Sequence, residues 1–206
     1  MARVTQEHLD ARRRQILDGA ARCFARNGFH ATSMQDVLTE VGLSAGAVYR
    51  YFRGKDELIA AIADEAFAGI RGAFEDASRA TPPPTPDVLL GEVLRLFLEE
   101  RIPGADRQAF PRLILQVWSE TLRDERLAET LERGFTAMRE VWARLVVAYR
   151  ENGLMAADVS ADHMARILIA IAQGCIAQQA LFGDMSVGIL EDGVRGLMSM
   201  HTQSPS

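Results

Sequence analysis

Tyr49, Arg50 and Lys55 close a pair of short helical segments joined at a glycine, and their chemistry is that of gripping a polyanion. Tyr49 offers a hydroxyl and a flat apolar face. Lys55 is a cation at the first turn of a helix, whose free N–H groups already attract phosphate. Thr32 and Ser33 open an earlier helix, where hydroxyls and N–H groups can also meet a phosphate, although a capping role explains Thr32 equally well. Between these points Ala45, Gly46 and Ala47 provide only methyl contacts and close backbone approach. Base reading then falls to Gln35, Ser44, Tyr49 and Arg50, with Gln35 suited to adenine and Arg50 to guanine or phosphate. The shape of the DNA would supply a good share of the specificity.

The elements that must hold these groups are legible around them. From Thr32 to Leu58 the sequence TSMQDVLTEVGLSAGAVYRYFRGKDEL reads as two short helices with a glycine corner and the capped start of a third. Thr32 is placed to cap the first, with Gln35 three residues on to return the bond, and Ser44 to cap the second. Val37, Val41, Leu43, Val48 and Phe52 are the apolar positions that lock the pair, so Gln35, Ala45, Gly46, Tyr49 and Arg50 face outward. Such a pair is a helix-turn-helix, shaped to enter a major groove.

Charge agrees with that reading. The chain of 206 residues carries a net −5, but residues 1–55 hold nine Lys/Arg against five acids, a net +4, which leaves −9 for the remainder. A basic head on an acidic body is expected when one end alone meets phosphate. Catalysis finds little support. His8, His30, His163 and His201 show no ligand spacing with one another or with Cys23 and Cys175, which read as buried free thiols, and there is no Gly-rich phosphate loop or nucleophile elbow. Asp124-Glu125 and Glu191-Asp192 sit where solvated acids are the default. No catalytic residue, metal or cofactor is expected.

Four blocks together resemble the N-terminal domain of the TetR (tetracycline repressor) family of bacterial transcription regulators. They are AARCFARNGF from Ala20 to Phe29, the Thr32 to Val41 helix, the GLSAGAVYRYF recognition segment, and the KDEL that follows. The resemblance covers roughly the first quarter of the chain. It implies an all-α protein of about nine helices, with a three-helix helix-turn-helix domain over residues 1–54 and a helical regulatory, ligand-binding and dimerisation domain over 55–206. It also implies a homodimer on a near-palindromic double-stranded DNA operator, released by a small apolar or amphipathic effector. The residues leave open an activator of the same fold, or an architectural DNA-binding protein with no ligand.

The remaining periodicity is helical throughout. Helices are expected over about His8 to Asn27, from Lys55 onward, and over Asp87 to Arg101, Gln108 to Leu122, Glu125 to Glu151, Ala161 to Phe182 and Val187 to Met200, with a hard break at the prolines of TPPPTP and a turn at Pro103-Gly104. Arg3 sits on an arm that could reach an adjacent groove, and the tail HTQSPS is expected to fray. Phe97, Phe110, Gln116, Trp118, Phe135, Met138, Trp142 and Gln173 are the candidates to line an effector pocket, which the resemblance places among the helices of the larger domain. The last two helices carry Ile171, Cys175, Gln178, Leu181 and Phe182 beside Leu190, Val194, Leu197 and Met198, more apolar surface than a monomer exposes; a four-helix dimer interface would absorb it, and the alternative is ordinary packing onto the long helix. Unbroken apolar runs fall short of a membrane span, so a cytoplasmic location with no membrane partner is expected.

Overall fold

Helix boundaries in this chain follow its capping residues. In the computed structural model, which describes residues 6–80, 82–98, 107–155 and 159–199, nine helices account for the regular structure of those residues. The Pro103-Gly104 turn, Arg3, Thr81 and the HTQSPS tail lie outside the described residues. The first helix, α1, runs Gln6–Asn27 and ends at Gly28, whose φ of 84° closes the turn. Helix α2 is Met34–Val41, ended by Gly42 at φ 65°, and α3 is Ala45–Tyr49. Helix α4 spans Lys55–Arg79, α5 Pro86–Leu98, α6 Ala109–Glu120, α7 Glu125–Glu151, α8 Ala161–Phe182 and α9 Val187–Met198. Pro86 enters α5 as its first residue, where a missing N–H costs nothing. Ser160 and Ser186 accept from the backbone N–H groups of His163 and Ile189 to start α8 and α9.

One cap departs from expectation. Ser33, not Thr32, caps α2: its hydroxyl accepts from the Asp36 N–H, and the Asp36 carboxylate accepts from the Ser33 N–H at 2.7 Å. Thr32 is only 1% exposed, and its hydroxyl donates to the carbonyls of Cys23 and Gly28 at 3.2 and 2.7 Å. It ties the α1–α2 turn to the end of α1.

The chain packs as two units, residues 6–67 with 107–134, and residues 68–98 with 135–199, so the division falls within α4 and α7. In the first unit Ile16, Leu17, Ala20 and Phe24 of α1 form one core with Val37 and Val41 of α2, Val48 of α3 and Leu58 and Ile59 of α4. Gly19 lets α1 approach α2, because a Cβ there would overlap the side chain of Val41. In the same unit α6 packs on α1, burying Leu113 and Val117. In the second unit α5 is the centre. Helices α8 and α9 both pack on it, and Leu89, Leu90, Val93 and Leu94 are buried. Asp87, buried at the start of α5, accepts from Arg195 of α9 at 3.0 Å; burial alone would raise its carboxyl, but hydrogen bonds from Thr85 and Arg195 hold it below the usual range. By length and composition α8 is apolar enough to cross a membrane, more than its longest unbroken run suggested, yet Leu168, Ile169, Ala172 and Ile176 are buried against the chain itself.

Candidate nucleic-acid interface

The helix-turn-helix is held by one side of α3. Val48 is fully buried and Phe52, just beyond the helix, is buried too, so the opposite side must face out. Ser44, Ala45, Gly46, Tyr49 and Arg50 are exposed and Ala47 is half-buried, while Gln35 is exposed on α2. A Cβ added at Gly46 would meet nothing within 4 Å, and the Ser44 hydroxyl makes no capping bond. The outward face at the start of α3 is therefore small and open, and Tyr49 at 47% exposure is the first large side chain on it.

Much of the head's positive charge is already paired. Arg22 and Arg26 both bind Glu40, at 2.7 and 3.1 Å, and hold its carboxyl below the usual carboxylate range. Arg13 pairs with Glu65 at 2.6 Å and lies over the Phe52 ring. Among the described cations of the head, the guanidinium groups of Arg14 and Arg50 make no ion pair or hydrogen bond, and Arg50 adjoins the outward face of α3. Arg53, in the α3–α4 turn, is 91% exposed and only loosely paired with Glu57 at 4.0 Å. Arg53 is one of the nine cations of residues 1–55, and its position between the recognition segment and the next helix N-terminus is the signal that marks it.

Two of the expected phosphate ligands change role. Thr32 is excluded, because its hydroxyl is buried on carbonyls, and the Ser33 hydroxyl donates to Asp36 at 2.6 Å. Lys55 is half-buried with its ammonium on the carbonyls of Phe29, at 2.9 Å, and His30, at 3.4 Å, and it sits 4.8 Å from the centre of the Phe29 ring. An ammonium has three N–H donors, so one remains for a phosphate. The same turn is gripped from α6, where Gln116 accepts from the Phe29 N–H at 3.0 Å and Glu120 lies 3.0 Å from the His30 ring.

That bond turns Gln116 toward the head, a correction to its expected place in a pocket. Phe110 and Trp118, both half-buried, belong with it to the first unit. Phe97, Phe135, Met138, Trp142 and Gln173 belong to the second. There Phe97 and Trp142 are buried, with the Trp142 indole edge-on to Phe74 at 5.1 Å, while Phe135, Met138 and Gln173 are half-buried.

A second outward face lies on α8 and α9. Leu181, Phe182, Leu197 and Met198 are exposed, as is Gln178, and Ile171 is half-buried. Cys175, Leu190 and Val194 are corrected: their side chains are buried in the chain's own core and cannot present themselves to a partner. Ile167 and Ile189 take their places on the exposed stripe, 58% and 54% exposed. Gly174 of α8 and Gly193 and Gly196 of α9 interrupt it, and a Cβ at any of them would meet open space.

Comparison with known proteins agrees with this arrangement along most of the chain. Residues 16–62 match the family model for bacterial regulatory proteins of the tetR family, and residues 91–195 match that for the C-terminal domain of BetI-type transcriptional repressors. The chain is 48% identical over 65 residues to the HTH-type transcriptional repressor Rv1474c of Mycobacterium tuberculosis, a match spanning 32% of this chain and 35% of that protein. It is 24% identical over 171 residues to the HTH-type transcriptional regulator UidR of Escherichia coli K12, covering 80% of each. Salmonella enterica GusR has a similar structure, with 25% identity, a TM-score of 0.74, and coverage of 97% of this chain and 100% of that one.

Proposed function

The chain belongs to the TetR family of bacterial regulatory proteins, and from that premise we propose that it is a ligand-responsive transcriptional repressor. It binds a near-palindromic double-stranded DNA operator as a homodimer through residues 1–54, and a small apolar or amphipathic effector bound within residues 55–206 releases it. The observation that carries this reading is the outward face of α3. Its buried side is fixed by Val48, its exposed side is nearly bare, and an unpaired Arg50 stands beside it. A helix with that surface fits into a groove lined by phosphates.

Electrostatic contacts can be counted through salt. Arg50→Ala should weaken binding to all sequences, with a further loss at any guanine it reads, and should flatten the dependence of log affinity on log salt by about one phosphate's worth. Lys55→Ala should flatten it by a similar amount through the third N–H of its ammonium, and should also loosen the Phe29–His30 turn. Fluorescence anisotropy of labelled operator over a salt series checks both. Unchanged slopes in both variants would remove these cations from the interface.

The effector site is placed in the second unit, beside Phe97, Met138 and Trp142, with Gln173 as the polar handle in an otherwise apolar stretch. Release requires only that the effector prefer the non-binding dimer, and a hundred-fold preference is about 2.7 kcal/mol of coupling. Trp118 and Trp142 are the only tryptophans. Titration of lipophilic compounds should quench their fluorescence, and the same compounds should release labelled operator. Trp142→Phe, which keeps most of the packing against Phe74, should lose most of the quench while retaining operator binding. A releasing compound whose quench survives Trp142→Phe and is lost in Trp118→Phe would place the effector elsewhere.

A further inference from the structure

We infer that the first turn of α3 selects its bases by the 5-methyl groups of thymine, with Ala45 as the contacting side chain. The inference rests on the DNA-binding role proposed above. Ser44, Ala45 and Gly46 are all exposed, and no side chain with a donor or acceptor follows Ser44 on that face until Tyr49, one turn later. The open space over Gly46 and the absence of any neighbour there mean that nothing else in the described residues covers this surface. What reaches the groove from this turn is the Ala45 methyl, bare backbone, and one hydroxyl at its edge.

On the major-groove side each base pair presents donors and acceptors, and the thymine methyl is the one apolar group among them. The Ala45 methyl laid against guanine, cytosine or adenine edges strips water from polar groups without replacing it. Laid against thymine, it buries a methyl on a methyl. The selectivity that results is for T over C at the contacted position, made by contact and by the lack of a competing hydrogen bond. Gln35 and Arg50, exposed on either side of the turn, are left to read flanking purines.

Uracil differs from thymine only in lacking that methyl, so it isolates the contact. The operator is first selected by the full-length protein from a random double-stranded library, and each thymine is then replaced by uracil in turn. Burial of one methyl corresponds to about four-fold in affinity, so a symmetric pair in two half-sites should cost roughly fifteen-fold when both are replaced. With Ala45→Gly the same replacements should cost nothing, and Ala45→Ser, which keeps a side chain at this helix start, should show a reduced uracil penalty. Wild-type binding indifferent to uracil at every position would overturn the inference, as would an equal penalty in wild type and both variants. Failure to select any sequence would overturn the DNA-binding role itself, which keeps the two apart.

Discussion

Gly46→Leu is expected to reduce operator affinity to the level of non-specific DNA, a loss of at least a thousand-fold, while leaving the fold unchanged. The fold should tolerate it because a side chain at Gly46 points into open space and because leucine is the better helix former by most of a kilocalorie per mole. The loss comes from the partner. The recognition helix can bring its backbone close to base edges only where no side chain intervenes, and an isobutyl group at the centre of that face holds every other contact of α3 away from its base. Gly46→Ala, adding one methyl, should cost far less. Circular dichroism and thermal melting must match wild type for the comparison to count, and anisotropy against operator and scrambled DNA separates specific from non-specific binding. Normal binding by Gly46→Leu would mean that α3 presents a different side to the groove.

How much of this was readable beforehand depended on whether the deciding contact was local. Helices α7 and α8 ended where Asn152-Gly153 and Gly183 said they would, because a glycine with φ of 69° or 78° is a signal written in one residue. The outward set on α3 was legible for the same reason: Val48 and Phe52 are four apart and fix the buried side. The start of α2 was not. Thr32 and Ser33 are adjacent and both can cap, and the choice is made by carbonyls of Cys23 and Gly28 that only the packed α1–α2 turn brings to Thr32. Lys55 was assigned to phosphate on its helix position, whereas its ammonium rests on carbonyls about twenty-five residues earlier. In α8 both sides are apolar, so periodicity found the helix without saying which side is the core. Cys175 is a buried thiol, as its apolar surroundings suggested, and so drops out of the proposed dimer face, whereas Ile167, given no place there, is exposed.

That difference sharpens the dimer face proposed for this chain. Ile167, Gly174, Gln178 and Leu181 recur at intervals of seven, four and three residues, which keeps them on one side of α8, and on α9 Ile189, Gly193 and Gly196, four and three apart, share a side with Leu197, eight residues beyond Ile189. Glycines inside an exposed apolar stripe serve no packing within the chain, since the space above each is empty. They would let helices of a second copy approach closely in a four-helix interface. Gly174→Arg is therefore expected to give a folded monomer. The substitution raises helix propensity and its Cβ meets nothing within 4 Å in its own chain, but in the dimer it places a charge against apolar side chains with no partner, a penalty of several kcal/mol. About 3 kcal/mol is already more than a hundred-fold in the dimer dissociation constant. Operator affinity should fall with it, because each half-site is then bound alone and the advantage of the second, tethered contact is lost. Sedimentation velocity across a concentration series reads the assembly, and anisotropy with full and half operators reads the consequence. Gly188→Arg, off this stripe and with its Cβ meeting only the Ser186 hydroxyl at 4.0 Å, should stay dimeric. A Gly174→Arg variant that sediments as a dimer would show that two copies meet on some other surface.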